Sequence, residues 1–125
     1  MRRIILFLTL SLGLTLTNAQ DQSTTQPSFP GGEVALTTYL TENIQYPEIA
    51  AENGIEGVVT LDFLVKSDGS IGEVKIVRMV DPDLEDEAIR VVKAMPKWEP
   101  GTNNGVAVDA WFRLPIKFRL PTENQ

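Results

Sequence analysis

Val106-Ala107-Val108-Asp109-Ala110-Trp111-Phe112-Arg113-Leu114-Pro115-Ile116-Lys117-Phe118-Arg119-Leu120 is the stretch that decides the fold. Every even-numbered residue in it is apolar, while the odd positions are Ala107, Asp109, Trp111, Arg113, Pro115, Lys117 and Arg119. A period of two is the signature of a strand with one face on a core and the other toward solvent. The pattern predicts a single strand of about 15 residues, much longer than the usual five or six.

The segments upstream supply what this strand packs against. Asp81-Pro82 starts a helix, with Asp81 as N-cap and Pro82 in the first helical position. Leu84, Ala88, Val91, Val92 and Met95 form one apolar stripe, and Pro96 ends the helix. Further upstream, Val59, Leu61, Phe63 and Val65 alternate as a first strand, and Ser67-Asp68-Gly69-Ser70 forms the turn. Ile71 to Val80 returns as a second strand, whose change of parity predicts a bulge near Ile76. Two short helices come first. Glu33 to Asn43 carries Val34, Ala35, Leu36, Tyr39 and Leu40, and Pro47 to Glu52 is stopped by Asn53-Gly54.

The helix that follows the hairpin returns the chain across the sheet, so the last strand runs antiparallel to the first strand and pairs with it. The fold class is α+β: a three-stranded antiparallel sheet in the order 2-1-3, with helices packed on one face. The last strand is then an edge. Pro115 agrees with that placement, because a proline lacks the ladder donor and is confined to edges and bulges. Its nitrogen should face the open side, and the odd-numbered residues would send their N–H and C=O groups the same way. Edge strands are normally blunted by charge or proline, and Arg113, Lys117 and Arg119 serve that purpose as well. Trp111 beside Arg113 is also the composition of a binding hot spot, and a long edge is a template for strand addition by an extended peptide. Trp111, Arg113, Pro115, Lys117 and Arg119 are therefore the candidate partner-binding residues.

The N-terminus gives the address. Arg2 and Arg3 precede an apolar run, Ile4 to Leu16, and Thr17-Asn18-Ala19 offers small residues at a cleavage position. This is a secretory signal pattern over residues 1–19. Its 13 apolar-run residues fall short of the roughly 20 of a membrane-spanning helix. The expected location is periplasmic after cleavage. Retention as a short inner-membrane anchor facing the periplasm is the alternative. Residues 20–30 are polar and are expected to be a flexible leader, residues 31–121 the domain, and 122–125 a tail.

Of the 125 residues, 17 are Asp or Glu and 11 Lys or Arg, a net charge of −6. That balance argues against a nucleic-acid partner, which requires a basic patch. The chain has no cysteine and no histidine. It therefore has no disulfide, no lipoprotein attachment site, no Ser-His-Asp or Cys-His catalysis and no His-ligated zinc. No cofactor and no metal are expected. Asp81, Asp83, Glu85, Asp86 and Glu87 lack the glycine of an EF-hand loop and are explained by a helix start. Asp62 and Glu73 are a weak candidate carboxylate pair. Trp98 is expected in the core. Nothing here points to an enzyme.

Tyr46-Pro47, Gly54-Ile55, Gly57-Val58, Asp68-Gly69, Trp98-Glu99-Pro100-Gly101, Asn104-Gly105 and Leu114-Pro115-Ile116-Lys117-Phe118, in that order and spacing, resemble the C-terminal domain of TonB. The resemblance covers roughly Phe29 to Leu120. It implies a protein-binding module. TonB couples the inner-membrane proton gradient to outer-membrane receptors of Gram-negative bacteria, and its C-terminal domain captures an extended receptor segment, the TonB box, beside its own last strand. The implied partner is an outer-membrane TonB-dependent receptor or another periplasmic protein, with contacts around Trp111, Arg113 and Lys117. A full transducer also has an anchor helix with a functional His and a long Pro-rich spacer. The features seen here point instead to a stand-alone periplasmic module. The alternative is an assembly module that homodimerises through the same edge.

Overall fold

A computed structural model describes residues 23–121. The proposed signal segment and the four-residue tail lie outside the described residues. The elements run β1 (Thr24–Thr25), α1 (Gly32–Asn43), α2 (Glu48–Glu52), β2 (Gly57–Val65), β3 (Ile71–Arg78), α3 (Pro82–Lys93), β4 (Gly101–Asn103), β5 (Val106–Val108) and β6 (Ala110–Phe118).

The principal sheet is antiparallel, in the order β3-β2-β6. It matches the expected 2-1-3 order, and the chain is α+β. Val59, Leu61, Phe63 and Val65 of β2 are fully buried, and so, nearly, are Leu114, Ile116 and Phe118 of β6. The register sets Val59 opposite Ile116 and Leu61 opposite Leu114, so these side chains share one face. The stripe of α3 closes over that face: Leu84, Ala88, Val91 and Val92 are inaccessible to solvent. Burying each large aliphatic or aromatic side chain contributes about 1.5–3 kcal/mol. Phe29, Phe63, Trp98 and Phe112 form a ring cluster at one end, with Trp98 centroids 4.9–5.7 Å from the other three. Trp98 is 3% exposed and its indole N–H donates to Met95 Sδ at 3.3 Å.

Local chemistry places the elements. The Asp81 carboxylate accepts from the N–H groups of Asp83 and Leu84, and Pro82 opens α3. The buried Glu85 carboxylate reaches back to the N–H groups of Val80 and Asp81. Two members of the acidic run, Asp81 and Glu85, are thus engaged in starting the helix. Gly69 turns the hairpin at φ +88°, where a side chain would place Cβ 2.2 Å from the Trp98 carbonyl oxygen. Only glycine fits under that loop.

Three features differ from the pattern reading. The single 15-residue strand is two strands, β5 and β6, in different sheets. Asn104 and Gly105, both at positive φ, make a tight Asn-Gly hairpin that pairs β5 with β4. At Asp109 the chain passes from one sheet to the other, and the Asp109 carboxylate accepts from the Ser67 N–H at 2.8 Å. Parity is retained through this junction, which hid it in the sequence. Second, the segment expected as a flexible leader is held from Thr24 onward. Thr24 and Thr25 pair with Asn103 and Thr102, Ser28 bridges Glu99, and Phe29 is 8% exposed in the core. Gly101 permits the approach, since a Cβ there would lie 2.9 Å from the Thr25 carbonyl oxygen. Third, Val34 is 80% exposed, so it is no part of the buried stripe of α1.

Candidate functional site

The two edges of the principal sheet are not equivalent. β3 meets β2 with two register shifts, one beside Ile76 as expected and one between Ile71 and Val74. Bulges twist an edge and spoil it as a template. β6 meets β2 with nine consecutive partners and no shift, from Gly57 opposite Phe118 to Val65 opposite Ala110. Among the described residues, nothing pairs with the outer side of β6.

The odd-numbered side chains of β6 lie on the face away from α3. Trp111 is 46% exposed, with Lys75 Nζ 4.9 Å from its ring centroid. Arg113 donates to both Asp62 carboxylate oxygens, from Nε at 2.8 Å and from Nη2 at 3.0 Å. These hydrogen bonds pull the Asp62 carboxyl below its ordinary value and raise the guanidinium further. Asp62 stands opposite Arg113 on one side and Lys75 on the other, so its partners are cations, not Glu73. Pro115 stands opposite Thr60, and Lys117 opposite Val58. Arg119 lies just past the strand. All five candidate residues are thus brought to one edge and all are exposed.

Beside this edge runs a groove of about 480 Å³. One wall is β6 and the residue after it, from Pro115 to Arg119. The other is α1 with its C-cap residue, presenting Thr37, Leu40, Thr41 and then Ile44. Tyr46 closes one end. Its ring meets Phe118 edge-on at 5.7 Å, and its hydroxyl donates to the Ile55 carbonyl. Burial, and then the Glu56 carboxylate, raise its pKa, with Arg119 opposing them. The groove wall was not foreseen. Its signal was present in the i, i+3, i+4, i+7 spacing of residues 37, 40, 41 and 44, a stripe that adjoins the side burying Leu36 and shares Leu40 with it.

The helices α1 and α3 are tied to each other. The Tyr39 hydroxyl donates to the Val91 carbonyl at 2.8 Å. Arg90 bridges Glu87 and the Asn43 carbonyl, and the Gln45 N–H donates to Glu87 at 2.7 Å. Among the described residues, no group of His, Cys, Asp or Glu is placed to hold a metal ion, and no helix is long and apolar enough to cross a membrane.

Fold and site together define an α+β domain whose principal antiparallel sheet has helices on one face and, among the described residues, one edge in regular register left open. The sequence model described as "Gram-negative bacterial TonB protein C-terminal" matches residues 42–120, more than half of the chain. The chain belongs to the TonB C-terminal domain family. It is 28% identical over 86 residues to Protein TonB of Helicobacter pylori strain J99, covering 68% of this chain and 29% of that protein. It is 37% identical over 65 residues to Protein TonB of Pseudomonas aeruginosa, covering 50% of this chain and 18% of that protein. The chain thus spans less than a third of the length of these curated relatives. Among solved structures, the Helicobacter pylori TonB C-terminal domain superposes with a TM-score of 0.55 at 25% identity, covering 72% of this chain and 95% of that one. The Pseudomonas aeruginosa domain gives 0.55 at 21% identity, covering 83% and 93%, and supports the fold alone.

Proposed function

We propose that this protein is a periplasmic TonB C-terminal-like binding module. It captures an extended segment of an outer-membrane TonB-dependent receptor, or of another periplasmic partner, by strand addition on β6, in support of transport across the outer membrane. The observation that carries the proposal is the nine-residue edge in unbroken register with β2, left open beside a groove while the opposite edge is bulged. Strand addition needs unpaired N–H and C=O groups in a straight row, and pockets for alternate side chains. β6 offers the row and the α1 groove offers the pockets.

In this proposal Trp111, Arg113, Pro115, Lys117 and Arg119 flank the partner strand, and the backbone of the odd-numbered positions supplies the ladder. The location rests on the signal pattern of residues 1–19 and on the family. Titrating the isotope-labelled protein with TonB-box peptides tests the proposal. Amide shifts concentrated between Ala110 and Phe118 are expected. Saturable binding that leaves those amides unmoved would place the partner elsewhere.

A further inference from the structure

From Ala110 to Pro121 the chain has three cations, Arg113, Lys117 and Arg119, and no acid, in a protein of net charge −6. Of the 17 acids, eight lie on the helices, Glu33 and Glu42 on α1, Glu48 and Glu52 on α2, and Asp83, Glu85, Asp86 and Glu87 on α3, and Glu56 meets the end of the edge by accepting from the Leu120 N–H. Arg113 is committed to Asp62. Lys117 and Arg119 form no salt bridge among the described residues. They flank the C-terminal half of the edge, where the groove's α1 wall contributes Leu40 and Ile44.

A strand laid against β6 has two faces. The side chains on its helix-facing side enter the groove, where they meet Leu40, Ile44 and Tyr46. The side chains on its other side become cross-strand neighbours of the odd-numbered residues of β6, Lys117 above all. We infer that the segment captured at β6 alternates apolar and acidic residues, apolar toward α1 and acidic beside Lys117 and Arg119. This rests on the strand-capture proposal and adds the partner's chemistry to it.

A second copy of this chain is the poorer occupant. Joining two β6 edges with their grooves on one side sets odd positions beside odd positions. Three cations from each strand then crowd one face, and the Asp62 carboxylates on it are already committed to Arg113. Like charges placed across a ladder are destabilising.

The test uses isotope-labelled protein, expressed as the full chain, and three peptides of about seven residues: alternating Val-Glu, Val-Gln and Val-Lys. The inference expects Val-Glu to bind about five-fold tighter than Val-Gln at low salt, Val-Lys to bind weakest, and the ranking to compress as salt rises. Lys117→Glu and Arg119→Glu lie on exposed positions, so an unchanged amide spectrum elsewhere will show that the fold survives. Each should erase or invert the preference. If all three peptides shift the β6 amides equally, strand capture stands and the acidic inference fails. If none shifts them, both fail. If β6 amides shift with protein concentration alone, a second copy holds the edge and the inference is overturned.

Discussion

Pro115→Ala reads out which way the β6 ladder points, and therefore which residues face a partner. Pro115 stands opposite Thr60, and a proline is tolerated in a ladder only where its nitrogen faces away from the neighbour. The Leu120 N–H, of the opposite parity, donates to Glu56 Oε2 at 2.8 Å, just ahead of β2. Backbone groups alternate in direction along a strand. Even-numbered amides therefore face β2 and odd-numbered ones face out. In this phase the substitution gains no bond to β2. It only loosens the unfolded chain, at a cost of about 0.4–1 kcal/mol, or about 2–8 °C in Tm for a domain of this size. It also adds an outward donor. A captured strand should use it for about 1 kcal/mol of net hydrogen bond, close to five-fold in Kd. Urea unfolding, amide hydrogen exchange and peptide titration read the three effects. The amide at position 115 should exchange freely in the unbound protein and become protected on capture. A variant that is more stable, with that amide protected before any peptide is added, would refute the phase. Trp111, Arg113 and Lys117 would then lie on the paired positions instead.

Gly69→Ala should cost roughly 2–5 kcal/mol in urea unfolding, combining a left-handed φ with a backbone that must move away from the new Cβ; a loss under about 1 kcal/mol would mean that the Trp98 loop is not seated on the turn. Hydrogen bonds from Arg90, then from the Gln45 N–H, outweigh burial and hold the Glu87 carboxyl below its ordinary value of 4.5. Its contribution to stability is therefore complete above that value and lost as pH falls through the lower folded-state value. Glu87→Gln should flatten the acid limb of a stability profile against pH, and an unchanged limb would remove Glu87 from the account.

Much of the fold was legible because the deciding signals are local. The Asp81-Pro82 start, the α3 stripe, the β2 alternation and the Asp68-Gly69 turn each follow from a few adjacent residues, and the bulge beside Ile76 follows from a parity change. The change of sheet at Asp109 was hidden because alternation records which way side chains point and is silent about which strand is the neighbour. The seating of residues 24–29 was hidden for a related reason. Its energy comes from Phe29 reaching Tyr39 and Trp98 and from Gly101 admitting a carbonyl oxygen, contacts that only the assembled fold creates. At the candidate site, the placement of Trp111, Arg113, Pro115 and Lys117 on β6 and of Arg119 just past it was legible from Pro115 and the odd parity. The groove was not, because its other wall is a helix about 75 residues away in sequence.

An open edge is a hazard, and under the strand-capture proposal the features that guard this one would also select what it admits. Pro115 withholds one donor from any strand that approaches. Arg113, Lys117 and Arg119 repel copies of the edge itself and strands of like charge. The α1 wall narrows the approach on the helix side to side chains that fit against Leu40 and Ile44. None of these devices seals the ladder, since every other odd position keeps its N–H and C=O. A partner that brings acid to the cationic face and apolar side chains to the groove turns each obstacle except Pro115 into a contact. Discrimination then comes as much from what rejects the wrong strand as from what holds the right one. On this view the bulges of β3 belong to the same arrangement. With the far edge spoiled, only one edge is left to be chosen, and its register is already set by β2.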